Sequence, residues 1–476
     1  MLQTNALPRI RPEEAGVSPS AISSFLKEAQ SSNIGLHSFL LLRHGHVAAE
    51  ACWAPYNPDY PRMMFSLSKS FTSTAVGFAV AEGLLSVDDP VISFFPDKHP
   101  IDDEHLKAMR VRHLLTMSTG HAKDTTGQLH KHPDKDWVQA FLELPVEHKP
   151  GTHFVYNSGA TYMLSAIVQT ITGQTLVDYL QPRLFEPLGI QGAKWDSCPR
   201  NINTGGWGLK IKPADIALFG QMYLQKGMWN GTQVVPEAWV DEATSFQVSN
   251  GEDPGSDWKQ GYGYQFWRCR HGAYRGDGAF GQFCLVMPEQ DTVIAITSGV
   301  KNMQSVLNLV WEHLLPGISE QPLPLDEVQY DELQDAIASL GYAPLAAEFT
   351  SSEAESITGN RYIMEDNELK LQSASFRFEE AVCTFDFQLE PLGNGQIQCG
   401  IGSWIESTTI PIGGMSGVAA SGKWSDDSTF VMEWRFVETP FYYTLTCRFE
   451  ENSVKMEIIS HIGGSNEPLH LIGQSE

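Results

Sequence analysis

Positive charge is scarce in this chain: 32 Lys and Arg stand against 57 Asp and Glu, a formal net charge of −25. Nucleic-acid binding draws on clustered Lys and Arg, and so does docking on an anionic membrane face, so neither partner is expected. Long apolar runs are missing too. No stretch of about 18 apolar residues occurs, which argues against a transmembrane helix. Cysteines are few and scattered, at Cys52, Cys198, Cys269, Cys284, Cys383, Cys399 and Cys447. They form no CxxC pair and no metal-ligand spacing, and an odd, dispersed set suits a reducing compartment better than a disulfide framework. The first residues, MLQTNALPRIRPEEAG, lack a charged-then-apolar signal pattern. Together these absences lead us to expect a cytoplasmic protein, with its acid surface serving solubility.

What is present is an ordinary globular composition, with 42% hydrophobic and 11% aromatic residues over 476 positions, enough for two or three domains. The segment SFLLLRHGHVAAEACW has the apolar density of two strands joined at Arg43-His44-Gly45. Apolar spacing predicts helices at 20–30, 66–82, 104–116, 134–143, 158–172, 175–182, 213–226 and 236–244. From 261 the texture changes: GYGYQFWRC, FGQFCLVMP and TVIAITSG read as three strands, followed by a helix at 303–315. Strands at both ends of a helical stretch predict one sheet built from both chain ends, an α/β domain over 1–316. Residues 317–343 read as a linker and short helix. Beyond them, 344–476 consists of short alternating strands with regular turns, which predicts a small antiparallel barrel.

For chemistry the eye goes to MMFSLSKS. Ser66 and Lys69 stand three apart, but so do Ser24 and Lys27, Ser256 and Lys259, and Ser298 and Lys301. On spacing alone the pair reads more readily as an N-cap serine with an exposed lysine. Context separates Ser66, because it opens a predicted helix, where free backbone N–H groups and the positive dipole end favour an oxyanion. One turn on, Lys69 could act as base if burial lowers its pKa from about 10.4 toward neutrality. Ser68 lies one residue from Lys69 and faces away from it. A second element, Tyr156-Asn157-Ser158, also opens a predicted helix, and a tyrosine beside a lysine can shuttle protons. Taken alone it reads more readily as a core tyrosine followed by a capping serine.

The segments FSLSKSFTSTAVGFAVAEGLLSVDDPV, VRHLLTMSTG, PGTHFVYNSGATYMLSAIVQTITG, GWGLKIKPADIALFGQMYLQKG and GAFGQFCLVMPEQDTVIAITSG, in this order, resemble the β-lactamase-related serine hydrolases. That family includes class C β-lactamases, family VIII carboxylesterases, D-aminopeptidases and thioesterases of the penicillin-binding-protein type. The resemblance implies a β-lactamase/transpeptidase-like α/β fold, an antiparallel sheet with a helical insertion. It makes Ser66 the nucleophile, Lys69 its base partner, and Tyr156 the acid/base that activates the deacylating water. Ser158 takes the third place of the Tyr-x-Asn element, where many relatives carry asparagine. The third element, Lys-Thr-Gly or His-x-Gly in relatives, is poorly matched by Arg275-Gly276-Asp277-Gly278-Ala279. One register sets Gly276-Asp277-Gly278 there, with Gly276 and Gly278 against the substrate and the Ala279 N–H joining the Ser66 N–H as oxyanion donors. A one-residue shift would put Arg275 in the basic position. Without the Lys or His, β-lactamase activity is expected to be weak at most.

His121 follows Ser118-Thr119-Gly120 in a loop that lies near the site in relatives and is kept as a substrate contact. His130-Lys131-His132, with Asp134 and Asp136, fits no established metal spacing and reads as an exposed loop. Trp53 and Trp207 read as core or as walls of an apolar acyl pocket. The C-terminal barrel resembles the lipocalin-like module of some relatives and could cap the site, bind an apolar ligand or support a homo-oligomer, with a purely stabilising role equally open. The expected activity is acyl-enzyme hydrolysis of a small-molecule or peptide-like ester or amide, without metal or organic cofactor. Acyl transfer with peptide cyclisation, and a ligand-binding protein with a relic site, are the alternatives.

Overall fold

The computed structural model describes residues 7–132, 134–463 and 467–476. The chain divides into two compact units, one of residues up to 51, 61–298 and 302–338, the other of 52–60, 299–301 and 339–476. The segment expected as linker and short helix is therefore shared, with helix Glu327–Ala338 in the first unit and everything from 339 in the second.

In the first unit the sheet has six strands: β1 (Leu36–Arg43), β2 (His46–Cys52), β3 (Trp267–Arg268), β4 (Tyr274–Gly278), β5 (Gln282–Met287) and β6 (Thr292–Ser298). Their order is β2-β1-β6-β5-β4-β3, so strands from both chain ends meet where β1 pairs antiparallel with β6, Phe39 opposite Ile296. The β1–β2 hairpin turns at His44 and Gly45, both with positive φ, as a two-residue loop matched to strand twist demands. β1, β5 and β6 are buried along their whole length, which is why they read as continuous apolar runs rather than alternating ones. One face is covered by α1 (Pro19–Ser31), whose Phe25 ring lies 4.9 Å from that of Phe39. Against the other lies helix Pro213–Leu224, where a Cβ on Gly220 would meet Val293 Cγ1 at 2.6 Å and Cys284 Sγ at 2.8 Å.

Between β2 and β3 runs the helical insertion, including α2 (Ser68–Ala81) and α3 (Ser158–Thr172). The helix expected at 104–116 is broken in two, because Met109 and Arg110 are extended. Near the end of the sheet the sequence reading slipped. Residues 261–266 are irregular and β3 is only two residues long, while the strand that matters, β4, has no strand pattern of its own and is marked only through the resemblance, as the third element. Its composition, Tyr-Arg-Gly-Asp-Gly, hides it, since two glycines and two charges make a poor strand signature.

The second unit is a barrel. Its ring runs through strands Gly393–Ile401, Val382–Leu389, Leu371–Glu379, Arg361–Met364, Leu469–Ser475, Ser453–Ser460, Tyr442–Glu450, Thr429–Phe436 and Met415–Asp426, with Ile405–Ile412 paired outside it. All neighbours are antiparallel except the closing pair, where Gly400 and Ile401 meet Ser421 and Gly422 in parallel. The interior is filled by side chains including Phe376, Phe385, Trp424, Phe430 and Phe449, with Cys383, Cys399 and Cys447 among them. All seven cysteines of the chain are free thiols. No helix among the described residues is long and apolar enough to cross a membrane.

Candidate active site

Ser66 lies in a single 3₁₀ turn, Phe65–Leu67, that runs straight into α2. The turn is fixed from several sides. The Met64 N–H donates to the Leu209 carbonyl at 2.9 Å, and Ser68 Oγ accepts from the Leu209 N–H at 3.1 Å. Ser68 is thus an anchor for the turn and not a second nucleophile candidate. Phe65 holds φ at +47°, a conformation that carries strain for a bulky L-residue, directly before Ser66. Its ring meets Phe280 edge-on at 5.4 Å.

One turn along, Lys69 is 1% exposed, and its Nζ donates to Ser66 Oγ at 2.9 Å, Ser158 Oγ at 3.0 Å and the Gly206 carbonyl at 2.7 Å. Burial lowers its pKa to about 7, with Asp124 and Asp277 pulling the other way. The rival tetrads have no such arrangement. Ser24 bonds His313, Lys259 donates to the Asn250 carbonyl, and Ser298 donates to the carbonyls of Phe280 and Gly281.

Tyr156 sits just before α3. Its ring stacks on Trp267 with centroids 5.2 Å apart, and Lys69 Nζ lies 4.8 Å from its centroid on the same cluster. Burial among these aromatics holds the phenol well above its usual pKa, Asp277 adds to this, and a hydrogen bond with Ser66 opposes it. The resting site therefore pairs a phenol that keeps its proton with an amine that readily loses one. That division of labour follows the one the resemblance implies, with Lys69 as base partner, and adds that Tyr156 rests as the protonated phenol. Asn157 is the N-cap of α3, its Oδ1 accepting from the N–H groups of Gly159 and Ala160 and from Thr125 Oγ1. This cap delivers Ser158 Oγ to Lys69, while the Ser158 N–H donates to Asp124 at 2.9 Å.

β4 comes against the start of α2. A Cβ at Gly276 would meet Leu67 Cδ1 and Ser70 Oγ at 2.5 Å, and one at Gly278 would meet the Met64 carbonyl at 2.0 Å. The strand end carrying Ala279 is thereby held beside the turn that carries Ser66. Arg275 does not take the basic position of the shifted register. Its guanidinium is wholly buried, bonded to Asp277 at 2.8 Å and to the Asp257 carbonyl at 2.8 Å. Among the described residues His121 has no hydrogen bond to Ser66, Lys69 or Tyr156. It is buried, bonded through Nδ1 to Thr119, set edge-on against Phe141 and kept neutral, with burial lowering its pKa to about 4. His130 packs on Trp137, and Asp136 takes Lys98 and Arg200. Trp53 is buried, whereas Trp207, next to Gly206, is half-exposed. Asp124, Gly206, Trp267 and Asp277 were missed as site components. Of these, Gly206 lay in a segment the motifs had marked and Asp277 in the middle of the third element; Asp124 and Trp267 lay in none.

A sheet of both chain ends, with a serine and lysine on the first turn of a central helix and a tyrosine facing them, defines the class of penicillin-interactive serine proteins. The Beta-lactamase family model matches residues 35–307, and the chain belongs to that family. It is 26% identical over 280 residues to the 6-aminohexanoate-dimer hydrolase of Paenarthrobacter ureafaciens, covering 54% of this chain and 71% of that one. It is 27% identical over 164 residues to the lovastatin esterase of Penicillium rubens, covering 30% of this chain and 41% of the esterase. The matched stretches thus span between 41% and 71% of these relatives. Among solved structures, the octameric penicillin-binding protein homologue of Pyrococcus abyssi superposes with a TM-score of 0.50 at 16% identity. That likeness covers 95% of this chain and 99% of the homologue, a likeness of fold that takes in the barrel.

Proposed function

We propose that this protein is a serine hydrolase that cleaves a small-molecule or peptide-like ester or amide through an acyl-enzyme on Ser66. The observation that carries the proposal is the 2.9 Å bond between Ser66 Oγ and a buried Lys69 whose pKa is brought to about 7. A neutral Lys69 takes the proton as Ser66 Oγ attacks the carbonyl carbon. The negative charge that develops on the carbonyl oxygen is met by the N–H groups of Ser66 and Ala279, each worth roughly 10²-fold in rate. Tyr156, holding its proton, is the acid for the leaving group and recovers that proton through Lys69. Water then attacks the ester, with the same two residues carrying the proton in reverse.

Two relatives, named a 6-aminohexanoate-dimer hydrolase and a lovastatin esterase, support this reaction class. The β4 geometry supports substrates without a recognised carboxylate, since Gly276 has no room for a side chain and Arg275 is bonded to Asp277. We therefore place β-lactams low among its substrates.

A fluorophosphonate probe tests the proposal. Wild type should label, and Ser66→Ala should not; equal labelling of both would sink it. Short p-nitrophenyl esters set against D-aminoacyl amides would then rank the substrates. Diversion of product from acid to amide by an added amine would show acyl transfer in place of hydrolysis.

A further inference from the structure

β4 carries an ion pair that the reaction above does not use. Arg275 and Asp277 are two apart on a strand and so share a face, with Gly276 and Gly278 alternating to the other. Arg275 Nε donates to Asp277 Oδ2 at 2.8 Å, with Arg275 fully buried and Asp277 6% exposed. The guanidinium also holds the Asp257 carbonyl and Cys269 Sγ, and lies 4.2 Å from the Trp258 ring centroid and 5.6 Å from that of Trp267. Trp267 is the cross-strand partner of Arg275, hydrogen-bonds Asp277, and stacks on Tyr156. The layers therefore run Trp258, Arg275, Trp267, Tyr156, Lys69.

We propose that the Arg275–Asp277 pair is a positioning device for the Ser66 centre: it seats Trp267 against Tyr156 and places a fixed negative charge beside Lys69. This rests on the serine-hydrolase reading above. A buried ion pair contributes little net stability, because desolvation of both ions offsets their attraction. Its consequence lies in where it leaves charge. The carboxylates acting on Lys69 are Asp277 and Asp124, which accepts from the Ser158 N–H at the start of α3. Asp257 is fully engaged by Arg270, Gln304 and Trp311. Tyr262 and Cys269, close to the pair, are held neutral, burial raising the phenol and pushing the thiol up to about 11. Asp277 is itself pushed up by burial and drawn back by Arg275. Against the desolvation that strips the Lys69 proton, Asp277 restores part of the affinity, so the amine titrates near neutrality and not far below it.

The experiment is the pH dependence of the Ser66 labelling rate by a fluorophosphonate, in wild type, Asp277→Asn and Asp277→Thr. Asn keeps the volume and removes the charge; Thr is smaller and uncharged, so the test survives if one of them fails to fold. Losing the anion disfavours the ammonium, so in either variant the acid limb should move to lower pH by roughly half a unit or more. At about one unit below the wild-type midpoint, the rate relative to its plateau should rise about two- to threefold. A lowered plateau with an unmoved midpoint in the folded variants would show a purely structural pair and overturn the proposal. A wild type that never labels would instead overturn the Ser66 reading on which it rests.

Discussion

Lys69 has the most to lose from folding. An amine that titrates near 10.5 in the unfolded chain is brought to about 7, chiefly by burial. Between those values the unfolded state binds the extra proton, so stability rises with pH across the window and the full penalty applies below about 7. At neutral pH that penalty is roughly 4 kcal/mol. Lys69→Met removes it together with the base. We expect turnover to vanish, and the melting temperature of the variant minus that of wild type to be largest near pH 7, shrinking toward pH 10. A difference that stays flat across this range in calorimetry would mean that Lys69 is not depressed at all. The price of a catalytic amine here is stability, and the same desolvation that costs it makes Lys69 a base.

At the scale of elements, the site depends on how closely β4 approaches α2. Gly276 and Gly278 are the residues that permit it, and neither needs an unusual φ; the requirement is space. Gly276→Ala should force Leu67 or Ser70 aside and destabilise the protein by about 1–3 kcal/mol. It should also slow fluorophosphonate labelling at every pH, because displacing β4 moves Ala279 away from Ser66. Labelling that survives unchanged in a variant whose melting temperature has dropped would show that Ala279 has no part in holding the oxyanion. α3 shows the complementary case. Its start at Ser158 was readable from the sequence, but the capping role read for Ser158 falls to Asn157, and the structure adds the acceptors, Ser158 for Lys69 and Asp124 for the Ser158 N–H.

Over the whole molecule, each unit has its own core. The barrel interior is filled with aromatic side chains, Phe376 being in ring contact with Phe378, Phe385 and Phe449. Phe376→Ala should cost about 3–5 kcal/mol. Hydrogen exchange should register it as lost protection in the barrel strands, with the sheet around β1 and β6 unchanged; loss spread evenly over both units would mean that they unfold as one. A packed interior counts against the ligand-binding role among those the sequence left open for this domain.

The sequence by itself determined the elements whose pattern is local. The period of apolar residues marked α1, α2, α3 and the barrel strands, and short motifs marked Ser66, Lys69 and Tyr156. Helix context and the resemblance picked out one Ser-x-x-Lys tetrad from four of identical spacing, but they could not show that its lysine is held near neutrality. Only the tertiary structure decided that, by burying Lys69 under Gly206 and Ser158, which lie 137 and 89 residues further along the chain. β4 stayed hidden for the same reason. Its residues are poor strand formers held in place by what they pack against, and the Arg275–Asp277 pair is stable in the interior only because Trp258, Trp267 and Asp257 converge on it. Burial and long-range charge make this chemistry, and neither has a signature along the chain.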